Sequence, residues 1–148
     1  MATLTTWGPH AARTVLGLVF VVFGLNYFVP FLPAPGLPPG RALTFLGGLE
    51  AAGYLFPMVK AIEVGAGVAM LANRFVPLAL LLLAPIIVNI AAFNFLLAPA
   101  YALPGLLVAL ELYLAWSHRQ IFAPMLRAQV ASPDGTQLRH ATDLAAAR

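Results

Sequence analysis

The chain alternates long apolar runs with short polar breaks, and this pattern predicts helices that cross a membrane. The clearest run covers residues 14–32 and contains no charged side chain. Three further apolar runs cover residues 57–72, 76–97 and 103–116. Because a transmembrane helix needs about 20 mostly apolar residues, we predict a bundle of four transmembrane helices.

A fifth apolar run, residues 42–56, ends before Pro57 and has Glu50 near its middle. It is too short to span a membrane. The segment before it, residues 30–41, contains five prolines and two glycines, a composition that prevents helix formation. We therefore predict an all-α membrane protein in which the four-helix bundle carries an additional short interfacial or re-entrant helix, preceded by a stiff loop outside the lipid.

The composition agrees with this class of protein. Hydrophobic residues make up 61% of the chain and charged residues only 9%, whereas a soluble domain has about a quarter of its residues charged. We predict a membrane domain over residues 1–122 and a more polar cytoplasmic tail over residues 123–148.

The arginines suggest how the helices are oriented. With the N-terminus inside, a single arginine, Arg41, lies outside, and the cytoplasmic side receives six: Arg13, Arg74, Arg119, Arg127, Arg139 and Arg148. Because basic residues accumulate in cytoplasmic loops, we predict that both termini are cytoplasmic. We also expect the first run to be retained as a span, since no small-residue cleavage site follows it.

Several kinds of chemistry are excluded by composition. The chain has no cysteine, so disulfides, thiolate nucleophiles and Cys-bound metals are ruled out. The three histidines, His10, His118 and His140, lie at or beyond the margins of the apolar runs, which leaves no ligands for a haem between spans. We predict no metal site and no covalently bound cofactor, and the scattered basic residues do not indicate nucleic-acid binding.

Lys60 and Glu63 stand three residues apart inside the second span and so share one helix face, continued by Gly67 and Arg74. A charge in lipid is costly, so the pair should face the bundle. In one interpretation the two charges neutralise each other, together with Glu50, and fix the interfacial helix. In the other they form a proton site or a site for a quinone headgroup.

Four other polar residues lie within the spans. Glu111 is the deepest, and we expect its carboxyl group to be protonated and hydrogen-bonded to Asn89, Asn94 or Asn26. The three asparagines are interpreted first as hydrogen-bonding residues between helices. The candidate polar network therefore comprises Lys60, Glu63, Glu111, Asn89, Asn94, Glu50 and Asn26.

The stretches "RTVLGLVFVVFGLNYF", "GYLFPMVKAIEVGAGVAMLANRFVPLALLLLAPIIVNIAAFNF" and "LELYLAW" together resemble the DoxX family, over about residues 13–122. The resemblance implies a four-helix protein of the bacterial inner membrane, in a family named for a subunit of a thiosulfate:quinone oxidoreductase. It marks five positions without assigning them a reaction: Lys60, Glu63, Arg74, Asn89 and Glu111.

We therefore expect an accessory or structural subunit of a larger membrane electron-transfer complex, without catalytic activity of its own. Its partners would be the lipid bilayer and other membrane subunits or further copies of this chain. Two alternatives stay open: a quinone-binding redox subunit and a small transporter. Quinone or lipid is the candidate ligand.

Overall fold

A computed structural model of the chain describes residues 3–33, 36 and 39–126, and all regular secondary structure in that part is helical. The elements are α1 (Thr3–Phe28), α2 (Arg41–Ala51), α3 (Leu55–Leu71), α4 (Val76–Leu96), α5 (Ala102–Ser117), α6 (Arg119–Phe122) and a 3-10 turn (Ala123–Leu126). The prediction of an all-α protein is confirmed. Most of the predicted cytoplasmic tail, residues 127–148, lies outside the described residues.

Two helices are long and apolar enough to cross a membrane, at Trp7–Phe28 within α1 and at Val76–Leu96. Helices α2 and α3 qualify as a third span only if the two are taken together across their bend. Helix α5 is apolar but has 16 residues, or about 24 Å at 1.5 Å per residue, against a hydrocarbon core of about 30 Å. Helix lengths thus support two or three spans, fewer than the four predicted.

Helix α1 lies earlier in the chain than the predicted span over residues 14–32. It ends at Phe28 because Val29 precedes a proline, and the proline ring disfavours the helical conformation in the residue before it. The side chain of Asn26 then accepts hydrogen bonds from the backbone N–H groups of Phe31 and Leu32, at 2.9 and 2.6 Å. These bonds fix the chain as it leaves the helix.

Helix α2 forms as predicted but stops at Ala51, five residues before the expected end at residue 56. Gly53 has a φ of 73°, in the left-handed region that glycine reaches without steric cost, and its N–H donates to the carbonyl of Glu50. The chain therefore turns sharply, and α2 meets α3 at an angle of 89°. Pro57 fits into the first turn of α3, where no N–H donor is required.

The core lies between α1, α3, α4 and α5. Its buried residues come from all four helices: Ala12, Leu16, Phe20, Ala66, Met70, Val76, Ala79, Leu80, Leu83, Ile87, Leu107 and Leu114. Helix α2 stays outside this core and lies across α3 and α4. The central bundle is thus formed by four helices, with α2 as an added fifth.

Helices α1 and α3 approach each other through glycines. A Cβ atom at residue 67 would lie 2.9 Å from the carbonyl oxygen of Gly17, and one at residue 17 would lie 3.0 Å from that of Gly67. Further along, a Cβ atom at residue 24 would lie 2.7 Å from a methyl carbon of Val64. Small residues allow membrane helices to pack backbone against backbone, and α1 and α3 pack in this way at Gly17 and Gly67.

The outer surface of the bundle is apolar. Exposed large side chains occur on every long helix, among them Phe23, Val68, Leu78, Leu82, Val88, Leu106 and Leu112. A soluble protein rarely exposes an apolar surface of this extent. The surface is compatible with a protein that lies in a lipid bilayer.

Candidate ligand cavity

A cavity of about 380 Å³ lies where α2 crosses α3 and α4. We call it the α3 cavity. It is lined by Phe45, Leu46, Leu49, Leu55, Phe56, Val59, Lys60, Glu63, Pro85, Ile86, Asn89, Ile90, Phe93 and Asn94. Its volume falls within the range of about 300–1,000 Å³ found for small-molecule sites, which are mostly apolar with a few polar groups.

Lys60 and Glu63 lie in the wall of this cavity as an ion pair. The ammonium nitrogen of Lys60 lies 3.0 and 2.8 Å from the two carboxylate oxygens of Glu63. The Glu63 side chain is 3% exposed and that of Lys60 is 20% exposed. The predicted pairing therefore forms, and the pair faces the protein interior as expected.

The geometry leaves Lys60 with unused hydrogen-bonding capacity. An ammonium group has three N–H donors, and two of them point to Glu63. Within the part of the chain that the structure describes, the third has no acceptor, and it can bind one in the cavity. Because the carboxylate balances the charge of Lys60, a neutral acceptor such as a carbonyl oxygen suits this donor.

Asn89 and Asn94 add amide groups on the α4 side of the cavity. The Asn94 side chain donates a hydrogen bond of 2.8 Å to the carbonyl of Ile90, one turn earlier. Within the described residues the Asn89 side chain makes no hydrogen bond at all. Its amide can therefore both donate to and accept from a bound molecule.

Aromatic rings surround the polar groups. The rings of Phe45 on α2 and Phe93 on α4 pack with their centroids 5.8 Å apart. Phe56 stacks on Tyr27 of α1, with centroids 6.0 Å apart and planes 16° from parallel. The cavity thus combines flat aromatic walls with hydrogen-bond donors, an arrangement that suits a planar ring with polar substituents.

A second depression, of about 520 Å³, adjoins the α3 cavity on the outer side of α4. We call it the α4 groove. It shares Phe45, Pro85, Asn89 and Phe93 with the α3 cavity. Its other lining residues are Arg41, Val88, Ala92, Leu96 and Leu97.

Glu50 was expected beside the ion pair and Arg74 further along its helix face, and both lie elsewhere. Glu50 is exposed on α2 and makes no ion pair within the described residues, because α2 turns its apolar residues Phe45, Leu46 and Leu49 toward the cavity. Arg74 is exposed and follows the end of α3. It does not continue the helix face of Lys60, since the chain reverses direction at Asn73, which has a φ of 54°.

The expected hydrogen bonds of Glu111 to asparagines do not form. Asn26 and Asn94 instead bond to nearby backbone groups, and Asn89 lies in the α3 cavity, which Glu111 does not line. Glu111 is 8% exposed, on the same face of α5 as Leu107 and Leu114. Its Oε2 atom has no hydrogen-bond partner within the described part of the chain.

One partly buried polar contact was not expected from the sequence. Arg13 lies inside α1, and its guanidinium group donates a hydrogen bond of 2.7 Å to the carbonyl of Met70 in the last turn of α3. The C-terminal end of a helix attracts positive charge. The sequence shows only an arginine next to an apolar run, and the arginine distribution predicts that Arg13 lies in the cytoplasm. Neither observation indicates a bond to α3.

Residues 3–33, 36 and 39–126 contain no group of three or more acidic or histidine side chains that could hold a metal ion. Comparisons with protein-family models, with curated proteins and with solved structures give no match to this chain. The α3 cavity and its residues are therefore the features of the molecule that indicate a function.

Proposed function

We propose that this protein is an integral membrane protein that binds the headgroup of a quinone in the α3 cavity. The observation that carries the proposal is the Lys60–Glu63 ion pair, which lies in the wall of an otherwise largely apolar cavity and leaves one ammonium N–H without an acceptor among the described residues. A quinone ring is planar and neutral and has carbonyl acceptors. It therefore matches both the flat aromatic wall and the free donor.

Three polar groups of the cavity have a role in this proposal. Lys60 donates its third N–H to one carbonyl oxygen of the ring, and the Asn89 amide donates to a second oxygen substituent. Glu63 holds the ammonium group in place by accepting two hydrogen bonds from it. The Phe45–Phe93 pair provides the surface against which the ring packs.

The proposal includes a four-span placement in the bacterial inner membrane, with both termini in the cytoplasm. Helices α1, α3, α4 and α5 share one core, and the bundle surface is apolar. This arrangement supports α3 and α5 as spans although each is shorter than the usual length. The arginine distribution supports the orientation.

We further propose that the protein serves as a DoxX-like subunit of a membrane electron-transfer complex. The described residues contain no cysteine and no group of three or more acidic or histidine side chains that could hold a metal centre. A bound quinone would therefore exchange electrons with a partner subunit, and this chain would supply the binding site. A purely structural subunit is the second candidate, favoured by the large exposed apolar surface that a membrane partner could cover.

The proposal is tested by purifying the tagged protein from its own membranes in mild detergent and measuring quinone per protein by mass spectrometry. An unrelated four-helix membrane protein from the same cells is the control for quinone carried over in lipid. We expect quinone well above the control, together with redox subunits in fixed ratio. Quinone at the control level would contradict ligand binding, and recovery of the chain alone would contradict the subunit role.

A further inference from the structure

The α4 groove continues the α3 cavity toward the outside of the bundle. The two share Phe45, Pro85, Asn89 and Phe93, so they meet along one face of α4. Of the polar groups in the cavity, Lys60, Glu63 and Asn94 line the cavity alone, and Asn89 lies at the junction with the groove. Beyond the junction the groove wall is aliphatic, apart from Arg41.

The groove faces outward. Val88 is 66% exposed and Leu96 is 76% exposed, and Ala92 is exposed between them. The lining residues extend from Pro85 to Leu97 along α4, a length of roughly 18 Å at 1.5 Å per residue. In a bilayer this surface would contact lipid tails, so an apolar chain in the groove would pass from the bundle into lipid along Val88, Ala92 and Leu96.

From this continuity we infer that the ligand carries a long apolar tail, which lies in the α4 groove against Val88 and Ala92 while the ring occupies the α3 cavity. The inference rests on the proposed function and narrows its ligand to a tailed quinone, such as one with an isoprenoid chain. The aliphatic stem of Arg41 covers the tail at the end of the groove, with its charged group directed to the interface.

The groove is separable from the headgroup site by mutation. Val88 and Ala92 line the groove but not the cavity. A tryptophan at either position would fill the groove and leave the Lys60–Glu63 pair untouched. Leu82 is exposed on α4 and lines neither depression, so Leu82→Trp is a matched control.

The experiment uses the full chain in lipid nanodiscs and two probes: a dimethoxy-methyl-benzoquinone without a side chain and the same ring with a ten-carbon chain. We expect Ala92→Trp and Val88→Trp each to weaken binding of the tailed probe about tenfold, a loss of about 1.4 kcal/mol, and to leave the tailless probe unchanged. Leu82→Trp should change neither affinity. Because partition into lipid is the same for all variants, it does not affect this comparison.

The possible outcomes support the inferred tail site or overturn it. Unchanged affinity for the tailed probe in both groove variants, or an equal loss for both probes, would overturn the tail site and leave the proposed headgroup site standing. If neither probe binds the wild-type protein, the proposed function itself fails. Selective loss of the tailed probe in both groove variants supports the inference.

Discussion

Gly17 and Gly67 face each other backbone to backbone across the contact between α1 and α3. A Cβ atom at residue 67 would lie 2.9 Å from the carbonyl oxygen of Gly17, closer than non-bonded atoms approach. We expect Gly67→Ala to lower the free energy of unfolding by about 1–3 kcal/mol, the usual cost of overpacking. Thermal unfolding in detergent, followed by circular dichroism, measures the effect.

Gly65 is the matched control for this substitution, since it lies in the same helix and a Cβ atom there meets nothing within 4 Å. Gly65→Ala should leave stability unchanged or raise it by up to about 1 kcal/mol, because alanine favours the helix. Equal destabilisation by the two substitutions would contradict the close contact between α1 and α3.

Arg13 joins α1 to the end of α3 through its hydrogen bond to the carbonyl of Met70. We expect Arg13→Met to lower stability by about 1.5 kcal/mol, the low end for a charged hydrogen bond. We expect the low end of the range because, after the substitution, the Met70 carbonyl still accepts a hydrogen bond from the N–H of Asn73. Arg74 is the control, because it is exposed and its side chain makes no hydrogen bond within the described residues. The Arg74→Met variant should have the same free energy of unfolding as the wild type.

Glu111 lies outside the proposed ligand site and carries a buried oxygen without a partner. A buried polar group left unbonded costs about 1–3 kcal/mol. Glu111→Leu should therefore raise the unfolding temperature and leave quinone affinity unchanged. Loss of quinone binding in a well-folded Glu111→Leu variant would show that the site extends to α5.

The four-span orientation can be tested directly because the chain contains no cysteine. Single cysteines at Gly36 and Ala98 should react in intact cells with a maleimide that does not cross membranes. Cysteines at Arg74 and Arg119 should react only after the cells are opened. Reaction of Ala98→Cys and Arg119→Cys on the same side would mean that α5 does not cross the bilayer.

The ion pair was predictable because residues three apart on a helix lie side by side, whatever the rest of the fold does. The boundaries of α4 were predictable for a similar reason, since its apolar run is long and uninterrupted. The early end of α2 was not, because it depends on the left-handed conformation of Gly53, one of several glycines in that region.

The partners of the asparagines could not be predicted from the sequence. An asparagine in a helix can bond to the carbonyl one turn earlier without contacting another helix, as Asn94 does with Ile90. Choosing between that local bond and a distant Glu111 requires knowing which helices are neighbours. The contact of Phe45 with Phe93 and the cavity behind it depend in the same way on how α2 folds back.

We propose that the Lys60–Glu63 pair binds a quinone headgroup rather than only stabilising the bundle. Removing one partner would leave a buried charge and destabilise the protein by about 3–5 kcal/mol. The informative variant is therefore the double substitution Lys60→Met with Glu63→Leu, because an apolar pair can replace a buried ion pair without loss of stability. Glu50→Gln, at an exposed carboxyl outside the cavity, is the control.

The most direct measurement is a titration of the wild type, the double variant and Glu50→Gln in nanodiscs with the tailed quinone, with unfolding temperature recorded for each. We expect all three proteins to fold, the wild type and Glu50→Gln to bind with equal affinity, and the double variant to bind at least tenfold more weakly, a difference of about 1.4 kcal/mol. Wild-type affinity in a folded double variant would rule out a headgroup site at the ion pair and leave the pair with a structural role alone.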